Sequence, residues 1–221
     1  MLMKLVSTVF SYIFHPIFML MYSLGLLLLV NPYIFSIEDP KAKVILIFSI
    51  GMLSVGFPLI GIAILKFLGL ADDFNFDDRK ARVIPLLISS IFYLWLFVNI
   101  KSNNYIPMLF SSITFGATIS IFISFFINNF SKISLHTVGM GGLIAVVLLF
   151  KMSFDYQDFI VSAGSLGRFK IHMNFIVLAV IIIAGIVGSA RKYMTNHSYQ
   201  DIYGGYLVGF ISQVVAYRIL F

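Results

Sequence analysis

Seven stretches of this chain carry no lysine, arginine, aspartate or glutamate: Leu5–Val30, Val44–Leu65, Val83–Ile100, Tyr105–Ile127, Thr137–Phe150, Met173–Ala190 and Ile202–Tyr217. A bilayer core of about 30 Å is crossed by about 20 helical residues. In hydrocarbon a backbone has to satisfy its own hydrogen bonds, so segments of this kind fold as helices. Thr137–Phe150 is short, but extended to Ser134–Met152 it reaches across if its polar start lines a protected cavity. The composition agrees: 60% of the 221 residues are hydrophobic, 11% are charged, and the mean hydropathy is +1.02. The expected fold class is therefore all-α, a polytopic transmembrane helical bundle of six to seven spans. With no internal repeat, it forms a single domain over residues 1–221. The first stretch is too long, and lacks the small-residue cleavage site, to be a removable signal peptide, so it is expected to stay as an anchor.

Cysteine is absent, which removes disulfides and thiolate chemistry from consideration. The net charge of +6 is spread over short connectors rather than gathered on one basic face. That pattern favours anionic lipid headgroups over nucleic acid as partners. Alternating the chain across the membrane brings three connectors, Ala71–Arg82, Asn128–Leu135 and Arg191–Asp201, to one face. They hold Arg79, Lys80 and Arg82; Lys132 and His136; and Arg191, His197 and Asp201. The remaining basic residues, Lys192 and Lys170 among them, are expected to snorkel to headgroups.

His197 and Asp201 are spaced to share a helix face, so the carboxylate can accept one ring N–H and leave the other nitrogen basic. Arg191 offers a planar fork of donors suited to phosphate oxygens. Gly205 and Gly209 form a small-xxx-small pair that lets the last helix pack closely, and Gly204 is grouped with them. His15, beside Pro16, is expected to bond within the bundle or mark a kink. Like His15, His172 lacks a neighbouring carboxylate in the sequence. Tyr12, Tyr93, Trp95, Tyr105, Tyr193 and Tyr217 fit interface belts or packing.

Arg191, five residues, His197, three residues, Asp201 and the glycines beyond resemble the third signature of the type 2 phosphatidic acid phosphatase superfamily. The serine that normally precedes the arginine stands one place earlier, at Ser189, with Ala190 between. Ile133-Ser134-Leu135-His136 resembles the second signature, with the serine and histidine kept and the proline and glycine replaced. Gly139, Gly141 and Gly142 follow and give room for helices to approach. Asp78-Arg79-Lys80-Ala81-Arg82-Val83-Ile84-Pro85 resembles the first signature loosely, with Arg82 as the counterpart of the family arginine and Asn75 in the lysine's place.

The resemblance spans roughly Arg79 to Gly209 and implies a metal-independent lipid phosphatase without a cofactor. By it, His197 attacks phosphorus to form a phosphohistidine, Asp201 orients it, and His136 protonates the leaving alcohol. Arg82, Arg191 and a cation from Arg79 or Lys80 hold the phosphoryl oxygens, and Ser134 belongs to the phosphate cradle. Lys132, four residues before His136, either touches phosphate, tunes the histidine's proton affinity or snorkels. The substrate is a membrane lipid phosphate such as a phosphatidate, an isoprenyl pyrophosphate or a lipid A-type phosphate.

Two rival readings follow from the same residues. Asp72, Asp73, Asp77 and Asp78 resemble the aspartate-rich motif of UbiA-type prenyltransferases, which grip a diphosphate through Mg²⁺. That family needs a second such loop, and Glu38, Asp39, Asp155, Asp158 and Asp201 do not form one; otherwise the acidic run is a solvated loop paired with nearby cations. The third reading is a catalytically silent lipid-binding relative. Lysine and arginine divide eight to seven between the faces, and four to seven once Arg79, Arg82, Lys132 and Arg191 are assigned to phosphate. The remainder puts the motif face outside the cytoplasm, where resembling members of bacterial inner membranes usually work.

Overall fold

The computed structural model describes residues 2–31, 33–37, 39–69, 79–154, 158–162, 167–195 and 197–221. It is an all-α bundle in which the described residues form six helical stretches long and apolar enough to cross a membrane: Lys4–Val30, Pro40–Phe67, Lys80–Lys101, Met108–Phe130, Leu135–Ser153 and Met173–Met194. A further 22-residue helix closes the chain.

The first stretch is two helices. After α1 (Leu2–Ile13), Pro16 has no N–H for the carbonyl of Tyr12, and its ring drives His15 to extended geometry at φ −65°, ψ 137°. A single 3₁₀ turn, Pro16–Phe18, leads into α2 (Met19–Val30). The bend is sharp enough for the Tyr22 hydroxyl to donate to the Ile13 carbonyl at 2.6 Å. The second stretch also deforms at a proline. Between α3 (Pro40–Gly51) and α4 (Phe57–Phe67), the turn Met52–Gly56 widens to π geometry where Pro58 cannot donate to Ser54.

α5 (Val83–Lys101), α6 (Met108–Phe130), α7 (Leu135–Ser153), α8 (Met173–Met194) and α9 (Tyr199–Leu220) complete the bundle. α7 is its axis, 61% of its membrane window being buried, whereas the window of Pro40–Phe67 is only 17% buried and lies at the periphery. In lipid, helix association is driven by close packing and hydrogen bonds rather than by water exclusion. α7 and α9 meet where Gly209 faces α7: a Cβ there would lie 2.7 Å from the Gly142 nitrogen and closer still to the Val138 carbonyl oxygen. Gly205 likewise abuts the Ser134 carbonyl and Thr137, and Gly141 abuts the backbone of Tyr206. Gly204, grouped with these glycines from the sequence, faces open space. α6 keeps its many hydroxyls inside by bonding them to its own carbonyls, as Thr114 does to Phe110 and Ser124 to Ser120.

At the end of the bundle away from the three connectors, the long loop contains a hairpin that the sequence reading treated as plain connection. β1 (Asp158–Ser162) pairs antiparallel with β2 (Arg168–His172), Asp158 opposite His172. Phe159 points into the core beside α2, while Ile160 is exposed. Lys170 binds Asp158 at 2.8 Å, and His172 Nε2 lies 4.0 Å from the same carboxylate. His172 thus has an acidic neighbour across the strands, contrary to the reading of it as isolated.

Candidate active site

The site begins with the start of α9. Ser198 caps the helix: its Oγ accepts from the Asp201 N–H at 3.1 Å, and the Asp201 carboxylate accepts from the Ser198 N–H at 2.8 Å. The same carboxylate oxygen accepts from His197 Nδ1 at 3.3 Å. A carboxylate can only accept, so the His197 proton sits on Nδ1 and Nε2 keeps its lone pair. His197 is 2% exposed. Its pKa is lowered from the ordinary 6.5, first by burial, then by the charge of Arg82, with Arg191 adding to the effect; Asp201 opposes them by hydrogen bond and charge. His197 is therefore held neutral near pH 7.

The three connectors are bonded to one another. The Arg79 guanidinium donates to the Phe130 carbonyl at 2.7 Å, and Asn128 donates to the Arg79 carbonyl at 2.9 Å. Arg82 Nη1 donates to the Ile133 carbonyl at 3.0 Å, and the Ser134 N–H to the Asp201 carbonyl at 3.2 Å. Lys192 Nζ donates to the His197 carbonyl at 3.1 Å and lies 4.5 Å over the Tyr199 ring.

These bonds place His197, His136, Arg82 and Arg191 around one cavity of about 570 Å³. His136, in the first turn of α7, bonds through Nε2 to the Ser11 carbonyl at 3.1 Å. Leu143, two turns further along α7, continues the wall into the bundle with Leu20, Tyr93, Ile113, Ala117 and Ile121. Arginines and imidazoles at one end of the cavity thus adjoin an apolar interior. The shape suits a charged headgroup on a hydrocarbon tail.

Other residues named from the sequence stand elsewhere. Asp201 backs His197 from behind. Arg79, Lys80 and Lys132 do not line the cavity; Arg79 braces the connectors, Lys80 is exposed and Lys132 is half-buried. Ser134 is fully buried at the cap of α7, and its hydroxyl has no hydrogen-bond partner among the described residues. The acidic run with Asp72, Asp73, Asp77 and Asp78, together with Asn75, lies outside the described residues.

Sequence reasoning assigned Lys192 to headgroups and His15 to the bundle. In the structure Lys192 buttresses the His197 backbone, and His15 lines the cavity with its ring edge-to-face against His136, centroids 5.3 Å apart. The proximity of Lys192, five residues before His197, was readable as a local contact. Nothing local announces His15. Tyr12 and Tyr93, read as belt or packing residues, also line the cavity.

No family model matches the chain, and no curated protein and no solved structure does so either.

Proposed function

We propose that this protein is a membrane lipid phosphatase that removes phosphate from a lipid phosphate or pyrophosphate through a phosphohistidine on His197. One observation carries the reading: His197, backed by Asp201, shares a cavity with His136, Arg82 and Arg191, and that cavity runs on into an apolar interior. In the proposed reaction the lone pair of His197 Nε2 attacks phosphorus as the phosphorus–oxygen ester bond breaks. The electron pair leaves on the alcohol oxygen, which takes a proton from His136. Arg82 and Arg191 neutralise charge on the equatorial oxygens, the main lever in phosphoryl transfer. Water then attacks the phosphohistidine, its proton passes to His136, and the phosphorus–nitrogen bond opens to restore His197.

The lowered proton affinity of His197 supports the nucleophilic role, because a protonated ring has no lone pair to offer. The tail would occupy the apolar wall, and the proposed setting is a bacterial inner membrane with the site facing outward. The test is phosphate release from a panel of phosphatidate, isoprenyl pyrophosphate and lipid A-type phosphates. Release should persist in chelator and fall by about 1000-fold or more in His197→Ala. Lipid binding without release by the wild type would sink the proposal in favour of a silent binder, and turnover abolished by chelator would favour prenyl transfer.

A further inference from the structure

His136 is held from an unexpected direction. Its Nε2 faces the carbonyl of Ser11, 125 residues away in the chain. Since a carbonyl only accepts, Nε2 carries a proton in every state of the ring that keeps this bond. Nδ1 is the nitrogen left to gain and lose one. Four residues after Ser11, at the break between α1 and α2, the His15 ring packs edge-to-face against His136 at 84°. His15 is itself fixed: Nδ1 accepts from the Ile17 N–H at 3.4 Å, and Pro16 sets the backbone on its other side. The break can sit this close only because α7 carries glycine one turn after His136's neighbourhood begins. A Cβ at Gly139 would stand 2.7 Å from Met19 Cγ and 3.4 Å from Pro16 Cα.

We infer that the break in the first membrane segment is a positioning device for His136: the Ser11 carbonyl fixes Nε2 as the protonated nitrogen, and the His15 ring holds the plane, leaving the Nδ1 lone pair to take the proton of the bound lipid phosphate monoanion and hand it to the leaving oxygen. His15 is a positioning residue and acts only through His136. The inference rests on the phosphatase reading for its chemical consequence, though the geometry of the two rings does not. A backbone carbonyl is not open to simple substitution, so His15 is the handle on the device. Loss of its ring frees His136 to swing off the Ser11 carbonyl and sample both tautomers.

The consequence depends on the leaving group. An alkoxide needs a proton as it departs, whereas a nitrophenolate leaves without one. The experiment compares release of phosphate from dodecyl phosphate and from a long-chain nitrophenyl phosphate. It uses the full-length protein in detergent as wild type, His15→Asn, His15→Phe, His136→Ala and the double variant His15→Asn/His136→Ala. His15→Asn keeps an acceptor for the Ile17 N–H but removes the ring. His15→Phe keeps a ring against His136 and removes the acceptor, so its two rates report whether packing alone suffices.

The expected result is a loss of about 10-fold on the alkyl phosphate in His15→Asn, with the nitrophenyl rate within about twofold of wild type. The His15→Phe rates should lie between those of wild type and His15→Asn. His136→Ala should lose about 100-fold or more on the alkyl phosphate, and the double variant should match it, since two residues acting as one unit do not add. Equal losses on both substrates, no loss, or additive losses would overturn the inference. Nitrogen-15 spectra of the histidine rings supply a readout free of turnover: His136 should be a single Nε2–H tautomer in the wild type and a mixture in His15→Asn. An unchanged His136 signal would overturn the positioning claim. A wild type that turns over neither substrate would overturn the phosphatase reading instead, and the spectra would then decide the positioning alone.

Discussion

Asp201 performs three tasks with one carboxylate. It accepts the Ser198 N–H in the cap of α9, sits where the positive end of the helix dipole favours an anion, and accepts the His197 Nδ1 proton. Replacement by asparagine separates these tasks, because an amide still reaches the cap N–H but no longer brings charge. Asp201 raises the proton affinity of His197 against burial, Arg82 and Arg191. In Asp201→Asn the acid limb of kcat/KM should therefore move to lower pH than in the wild type, whose limb already lies below the ordinary 6.5. The plateau should fall by about 100-fold or more as the ring loses its orientation. Arg82→Gln should move the limb the other way. The sign for stability follows from the same shift: the unfolded chain takes up the His197 proton first, so stability is complete above about pH 6.5 and declines as pH falls below it. Rate profiles between pH 4 and pH 8 decide the limbs, and Tm over the same range decides the stability; limbs that stay in place, or a Tm that does not fall below about pH 6.5, would refute the assignment. The His197–Asp201 pair was legible from its spacing, but not by the shared helix face expected of it: His197 precedes the Ser198 cap and lies outside α9, and the contact forms because the Asp201 carboxylate reaches back over the first turn. His15 was not, since its partner is reached only through tertiary packing, and an isolated histidine beside proline reads as a kink.

Between elements, the distance from α7 to α9 sets whether His136 and His197 open onto one cavity. Gly209 meets the Val138 carbonyl and the Gly142 nitrogen, and Gly141 meets the Tyr206 backbone, so at these two positions no side chain could move to absorb an added methyl; Gly205 abuts the Ser134 carbonyl and the Thr137 side chain. Gly209→Ala should therefore cost about 1–3 kcal/mol or more, seen as a lower Tm in detergent. It should also lower phosphate release by more than Gly204→Ala, whose Cβ would meet open space. Equal behaviour of the two variants would remove the close approach as a cause. The pair was legible as a small-xxx-small spacing, but which of three neighbouring glycines faced the partner was not, because helix rotation is fixed by the whole interface. The break at Pro16 was legible from the chemistry of proline. The hairpin was missed because its strands are five residues each and their alternation is interrupted by exposed Ile160 and half-buried Val161. Phe159, buried beside α2, pins them to the bundle, with the partly buried Val161 and Ile171 packed against the same core.

At the scale of the molecule, uncharged stretch after uncharged stretch dictated the number of crossings, and the crossings dictated which connectors share a face. That much follows from parity, without any knowledge of how the helices pack. What parity cannot supply is lateral neighbourhood: that Arg82 and not Arg79 turns into the cavity depends on Phe130 and Ile133 each offering a carbonyl to one of them. The topology itself is open to a direct test, because the chain contains no cysteine and each introduced thiol reports alone. Ser131 and Gln200 are exposed beside the site, while Asn103 and Arg168 are exposed on connectors at the other end of α5, α6 and α8. Single variants Ser131→Cys and Gln200→Cys should react with a membrane-impermeant thiol reagent from the same side. Asn103→Cys and Arg168→Cys should react only from the opposite side. With the proposed outward-facing site, the first two label in intact cells and the second two only after permeabilisation. The reverse pattern would keep the bundle and invert the orientation, confining the reaction to lipids of the inner leaflet. Labelling of Ser131→Cys and Gln200→Cys from different sides would break the connection between Ser134 and Asp201 on which the shared cavity depends.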